Sequence, residues 1–296
     1  MQIGFIGVGI MGGGMGTNLL AAGRLLSVFD IDATRVAPLA DAGAIAAESV
    51  TEAAHQADVV MLSLPNAAAV ETVAAEALSA MPRGSVLIDL STSPPSLART
   101  LAEQAAERGI AFLDAPVSGG QRGARSGTLA VIVGGETAVF ERVRPLFDDI
   151  GANVYHMGEV GSGQTAKLVN NMMAFTSMWS LVEGLALGTK AGVDPNLLRE
   201  VVSNSSGSTT VWRSGTAAIL KDRLTPTFDL QLVKKDLQLA LDLADELGVE
   251  TPMARTSREL LDRFAALGFE AEEIYATIRH HEEALACAIR GRWEDR

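Results

Sequence analysis

The chain has 296 residues, 48% of them apolar and 5% aromatic, and a formal net charge of −12. That charge has the wrong sign for a nucleic-acid binder or an anionic membrane surface, and the single cysteine, Cys287, excludes a disulfide framework and a cysteine-based metal site. The opening "MQIGFIGVGIMGGG" has no basic leader and is broken by glycines, and no apolar run approaches the ~20 residues of a membrane-spanning helix; the expectation is a cytoplasmic globular protein with no membrane or nucleic-acid partner.

In chain order the first element is a strand, "QIGFI", followed at once by Gly7, Gly9 and Gly12 and then by the helical "MGTNLLAAG". A G-x-G-x-x-G between strand and helix has a physical reading. The first glycine permits the tight turn, the second lets backbone approach a pyrophosphate, and the third allows close helix–strand packing, with the helix N-terminus facing the anion; Ile10 and Met11, inside the motif, count as cofactor-loop residues with the glycines. Asp30 ends the second strand, "LLSVFD". A carboxylate there accepts hydrogen bonds from ribose hydroxyls and repels a 2′-phosphate, which favours NAD over NADP; Arg35, close by, leaves NADP open. Two later strands, "ADVVMLSLP" and "SVLIDLST", end at Leu64 and Pro65 and at Ser91 and Thr92. Backbone at the first loop and the Thr92 hydroxyl at the second are candidates to line the nicotinamide end of the cofactor, since ligands bind beyond the carboxyl ends of such strands.

The strand "IAFLDAPV" runs into "SGGQRGARSGTL", where Ser118, Gly119 and Gly120 offer a hydroxyl and unobstructed backbone N–H groups, a concavity suited to a carboxylate. "TLAVIVGG" and "ANVYHMG" read as two more strands around the helix "ETAVFERVRPLFDDI". After about residue 162 strand signals stop. A long helical stretch, "GQTAKLVNNMMAFTSMWSLVEGLALGTKAG", ends at Gly192, Asp194 and Pro195 start another helix, and "DLQLVKKDLQLALDLADELG" and "PMARTSRELLDRFAALG" follow. The predicted fold is α/β: a Rossmann-type dinucleotide-binding domain over residues 1–161 and an all-α domain over residues 162–296 for substrate and oligomer contacts. Lys167 and Asn171 stand four apart on an otherwise apolar helix and so share a face.

Four motifs in order, "GFIGVGIMGGGMGTNLL", "DAPVSGGQRGARSGTLAVIVGG", "GSGQTAKLVNN" and "FDLQLVKKDLQLA", make the chain resemble the β-hydroxyacid dehydrogenase family, which includes 3-hydroxyisobutyrate dehydrogenase, tartronate semialdehyde reductase and glyoxylate/succinic semialdehyde reductases. The resemblance implies an NAD(P)-dependent dehydrogenase of small 3-hydroxy acids or their semialdehydes, with Lys167 as catalytic acid/base and Asn171 beside it. Hydride transfer to an aldehyde develops negative charge on oxygen, which an ammonium can stabilise and protonate. The resemblance further implies that Lys235 reaches toward the cofactor, that Phe228 and Asp236 help close the substrate site, and that the protein is a homodimer or homotetramer. Lys234 reads as a solvated neighbour and Asn170 as the weaker asparagine.

Two departures stand out. "NSSGSTTVW" has Ser208 where members acting on 3-hydroxyisobutyrate often carry arginine, with a different spacing to Trp212, and Gly16 stands where alanine is usual. The imine-reductase branch lacks the catalytic lysine, so Lys167 argues against it. The adjacent His280 and His281 do not share a helical face and read as a solvated helix surface; no metal is expected. The alternatives are an NADPH-dependent glyoxylate or succinic semialdehyde reductase and a non-enzymatic dinucleotide-binding regulatory protein.

Overall fold

A computed structural model describes residues 1–224 and 229–294. It divides into two compact units, Met1–Lys167 and Leu168–Arg296.

The first unit opens with β1 (Gln2–Ile6), α1 (Ile10–Ala21), β2 (Leu25–Phe29), α2 (Ala33–Asp41), β3 (Ile45–Ala46), α3 (Val50–Ala54), β4 (Val59–Leu62), α4 (Ala67–Ala80), β5 (Val86–Asp89), α5 (Pro95–Glu107) and β6 (Ala111–Asp114). These strands make one six-stranded sheet in the order β3-β2-β1-β4-β5-β6, parallel at every pairing. In the central strands β4 and β5 every side chain is buried, because both sheet faces are covered and neither member of an alternating pair meets water. Ile3, Phe5, Val59, Met61, Val86 and Ile88 belong to one core layer, while Ile6, Val60, Leu62 and Leu87 belong to the other. That order reverses direction between β1 and β4, and the G-x-G-x-x-G turn lies at the carboxyl end of β1, where such sheets bind ligands.

The chain then forms β7 (Val117–Ser118), α6 (Gly120–Ser126), β8 (Leu129–Val133), α7 (Thr137–Ile150) and β9 (Gly151–His156). The two extra strands read from the sequence thus exist, but they pair with β7 in a separate three-stranded sheet, in which β7 is antiparallel to β8 and β8 parallel to β9. An isolated bridge between Asp114 and Gly134 stitches the two sheets together. Helix α6 is also new relative to the sequence reading, which had a loop there. Gly119 (φ 135°) and Gly120 (φ 60°) take left-handed conformations that swing the chain from β7 into that helix.

Helix α1 is short of side chains for a reason beyond the cofactor loop. A Cβ on Gly14 would lie 2.9 Å from the Ala124 carbonyl carbon of α6, and one on Gly16 would lie 3.0 Å from Leu39 Cδ1. Asn18 Nδ2 donates to the Ala124 carbonyl at 2.7 Å, sealing the α1–α6 contact. At Gly16 an alanine methyl would fit only if the Leu39 side chain gave way by a few tenths of an ångström.

The second unit is helical. It takes in all but the first turns of α8 (Ser162–Lys190), then α9 (Pro195–Ser203), α10 (Thr210–Leu220), α11 (Leu230–Glu246), α12 (Pro252–Phe264) and α13 (Ile278–Leu285). The helix starts follow local capping chemistry: the Asp194 side chain accepts from the N–H groups of Asn196 and Leu197, Thr209 from Trp212, and Asp229 from Leu232. Its core is built on Phe175, Trp179, Leu181, Leu185, Leu237 and Phe264, with Trp179 stacked on Phe264 at 5.2 Å. Helix α10 went unread in the sequence because "STTVWRSGTA" is rich in weak helix formers; the Thr209 cap and the buried Trp212 make it a helix. No helix among the described residues is long and apolar enough to cross a membrane.

Candidate active site

At the end of β1 the loop is shaped by the glycines themselves. Gly7 has φ 87°, and a Cβ on Gly12 would fall 1.9 Å from the Gly7 carbonyl oxygen. Helix α1 starts at Gly9, an N-cap with no side chain to cover the first N–H groups. The cradle thus fits a pyrophosphate: bare backbone donors at the positive end of a helix. The carboxylate of Asp30 accepts from Val8 N–H and from Asp32 N–H, both at 2.9 Å, so it braces the loop and still keeps lone pairs for a ribose hydroxyl. Arg35 pairs with Asp32 at 3.2 Å, and its Nη1 lies 2.9 Å from where a Gly9 Cβ would be. A guanidinium therefore stands over the loop.

Two other predicted cofactor loops meet at the next strand ends. Ser91 Oγ accepts from Leu64 N–H at 2.9 Å, which ties the loop of Leu64 and Pro65 to the loop of Thr92. Beneath them Asp89 and Asp114 face each other in register at the ends of β5 and β6, both without solvent exposure. Asp89 accepts from Ser91 N–H at 2.9 Å and Ser93 Oγ at 3.1 Å. Asp114 accepts from Gly161 N–H and Gln164 N–H, each at 2.7 Å, and so holds the N-terminus of α8 with both carboxylate oxygens. The sequence reading missed this pair; its one signal was an aspartate at the end of each of two consecutive strands.

Burial pushes the Asp89 carboxyl up to about 6, against the pull of its hydrogen bonds to Ser91 and Ser93, and the neighbouring Asp114 charge adds to the rise. Burial likewise pushes Asp114 up to about 6, against its backbone hydrogen bonds. An unfolded aspartyl group starts from 3.8. Below that value both states are protonated and nothing is lost; between it and about 6 the folded state keeps a proton the unfolded chain has released; above about 6 the cost of the buried charge is complete, on the order of a few kcal/mol. Asp89→Asn removes this linkage, so between pH 4.5 and pH 7 its urea stability should fall less than that of the parent, the gap widening by about 1–3 kcal/mol. Parallel curves for the two proteins would mean that Asp89 ionises as an ordinary carboxyl.

Ser118 is half-buried in β7, four residues past Asp114, and Gly119 and Gly120 are exposed at the start of α6. Lys167 lies in the second turn of α8 and is 8% exposed. In the helical unit, Asn171 Nδ2 donates to Asp236 Oδ2 at 2.8 Å, and Lys235 Nζ sits 2.6 Å from Asp236 Oδ1. Asn170, read as pointing elsewhere, donates from Nδ2 to Asn171 Oδ1 at 3.2 Å, so its amide orients that of its neighbour. Asp236, 4% exposed, holds Asn171 and Lys235 together. Lys234 is ion-paired with Asp262 at 2.6 Å on the outer side of α11. Phe228 lies outside the described residues. No group of three or more metal-ligating side chains occurs among the described residues.

The sheet order and the glycine cradle define a dinucleotide-binding oxidoreductase fold. Residues 2–158 match the family model described as the NAD binding domain of 6-phosphogluconate dehydrogenase, and residues 161–281 match the NAD-binding model of NADP-dependent 3-hydroxyisobutyrate dehydrogenase. Among similar proteins, 2-(hydroxymethyl)glutarate dehydrogenase of Eubacterium barkeri is 38% identical over 98% of either chain. A 3-hydroxyisobutyrate dehydrogenase of Pseudomonas aeruginosa is 40% identical over 92% of this chain and 94% of its own. The solved 3-hydroxyisobutyrate dehydrogenase of Mycobacterium tuberculosis superposes with a TM-score of 0.88 at 31% identity, covering 94% of this chain and 98% of that one. The chain belongs to the β-hydroxyacid dehydrogenase family. It is accordingly an NAD(P)-dependent oxidoreductase of hydroxyacids.

Proposed function

We propose that the enzyme interconverts a small 3-hydroxy acid and its semialdehyde, with NAD as the preferred cofactor and Lys167 as the acid/base. The bound nicotinamide supplies or takes up the hydride. Lys167 donates its proton to the carbonyl oxygen in the reducing direction and accepts the hydroxyl proton in the other. Ser118 and the N–H groups of Gly119 and Gly120 hold the substrate carboxylate. Asn171, with its amide fixed by Asn170 and Asp236, orients the oxygen that reacts. Asp236 and Phe228 close the substrate side, and Lys235 reaches toward the cofactor. Gly7, Gly9, Ile10, Met11 and Gly12 cradle the pyrophosphate, Asp30 binds the ribose, and Leu64, Pro65 and Thr92 line the nicotinamide end. On this reading residues 1–161 are the cofactor domain and residues 162–296 serve substrate and oligomer. The observation that carries it is the buried lysine at the start of α8, on a chain with the intact glycine cradle.

The exposed apolar side chains Met173 and Leu187 on α8 support a homodimer or homotetramer, which sedimentation equilibrium checks. The family's small acids include those named for its relatives, 3-hydroxyisobutyrate and 2-(hydroxymethyl)glutarate. A second reading, NADPH-dependent reduction of a semialdehyde, is favoured by Arg35, whose guanidinium over Gly9 suits a phosphate. One assay separates the two. Reduced-nicotinamide absorbance, followed with NAD and with NADP over a panel of 3-hydroxy acids, should show NAD-linked turnover of at least one member. A preference for NADP in that assay overturns the reading of Asp30, and silence across the panel overturns the substrate class.

A further inference from the structure

Gln164 has no solvent exposure, and both ends of its side-chain amide are used. Oε1 accepts from Ser93 N–H at 3.0 Å, and Nε2 donates to the Ser91 carbonyl at 2.8 Å. Those two groups belong to the peptides on either side of Thr92. One amide therefore grips the backbone of Thr92 from both directions, as a neighbouring strand would. The assignment of oxygen and nitrogen is unambiguous, because one partner can only donate and the other only accept.

The same residue is fixed at its own backbone. Its N–H is held by Asp114, whose other carboxylate oxygen holds Gly161 N–H. Gly163 completes the fit: a Cβ there would lie 2.4 Å from the Ile132 carbonyl oxygen and 2.8 Å from that of Asp114. The first turn of α8 is thus seated without slack against the ends of β6 and β8. Lys167 follows Gln164 by three residues, just under one helical turn. Burying an amide is costly unless every bond is made, and here the bonds lock the Thr92 loop to the start of the helix that carries Lys167.

We propose that Gln164 is a positioning residue for the reaction, fixing Thr92 at the nicotinamide end relative to Lys167. The proposal rests on the roles given above to Lys167 and Thr92. A side chain of equal length without the amide fills the space but leaves the Ser91 carbonyl and the Ser93 N–H unsatisfied, so the loop turns away from the helix.

The test uses Gln164→Met and Gln164→Glu in the full chain, with Lys167→Ala as the control. The readouts are kcat and KM on the best member of the panel, NADH affinity by fluorescence titration, and thermal stability. Gln164→Met should lower kcat about 10- to 100-fold, as a misplacement of about 1 Å does, with the NADH Kd within about threefold because the pyrophosphate cradle is untouched. Gln164→Glu keeps the acceptor for Ser93 and loses the donor to Ser91. When its carboxyl is protonated the donor returns, so its kcat relative to the parent should recover as the pH is lowered from 8 to 6, with Asp89 and Asp114 nearby favouring the protonated form. A kcat of Gln164→Met equal to the parent's per folded molecule overturns the proposal, whatever the change in thermal stability. So does a Gln164→Glu variant whose kcat relative to the parent does not change with pH, and this variant carries the test alone if Gln164→Met fails to fold. If Lys167→Ala turns over like the parent, or no panel member reacts, the functional reading has failed instead. The nicotinamide fluorescence of bound NADH then decides: a changed emission in Gln164→Met at near-normal affinity supports the grip on Thr92, and an unchanged one overturns it.

Discussion

Lys167→Ala should lower kcat by about a thousandfold or more, the upper range for a positioned acid/base, while NADH binds within about twofold of the parent. On the proposed reading the two effects separate because Lys167 acts on the proton of the reacting group, whereas the backbone at Gly7, Gly9 and Gly12 would carry the pyrophosphate. Lys167→Arg should be nearly as inactive. A guanidinium keeps the positive charge but does not release its proton at working pH, so the pair of variants distinguishes proton transfer from charge alone. Steady-state kinetics with parallel fluorescence titration measures both quantities. A kcat within tenfold of the parent in Lys167→Ala would end the assignment.

Gly12→Ala should weaken NADH binding about a hundredfold or more, and here the cause is steric. The added methyl would sit 1.9 Å from the Gly7 carbonyl oxygen and 3.1 Å from Phe5 Cε1. Neither the backbone of the turn nor a ring at the centre of the sheet can yield, so α1 must lift off β1 and carry the first N–H groups out of line. Gly13→Ala is the matched control, since its methyl would meet only the Val8 carbonyl oxygen, at 3.1 Å. It should cost much less affinity. Calorimetric titration with NADH compares the two; equal affinities would show that the close contact at Gly12 relaxes freely.

The parts of this protein legible in the sequence are those written locally. The apolar runs of β1, β4 and β5, the glycines after β1, and the helix start at Asp194 and Pro195 each declare themselves within a few residues. Lys167 stands out through its motif and through Asn171 on the same face, and the structure adds that its side chain is buried. What escaped depends on partners far along the chain. Gln164 bonds to residues 71 and 73 positions away, and Asp114 to one 50 positions away. A glutamine in "GSGQTAK" and an aspartate in "FLDAP" carry no periodicity that would announce such bonds. The separate sheet of β7, β8 and β9 was hidden for the same reason, because alternation reveals a strand but not its neighbour. Asn170 is exposed where Asn171 is buried, as helical direction implies, and what that direction does not show is the bond between their two amides.

The glycines of α1 also bear on how the molecule comes to be folded. Gly12, Gly13, Gly14 and Gly16 lie within a single helix of 12 residues, and each makes helix about 1 kcal/mol less favourable than alanine would. Such a segment has little tendency to coil before its neighbours exist, for nucleation is already unfavourable in good helix formers. Its bond to α6 spans 106 residues of chain, so the loop that closes on it is long and its closure comes at an entropic cost. Helix α1 is therefore expected to become persistent only once α6 is in place to receive it, and the glycine turn at its start with it.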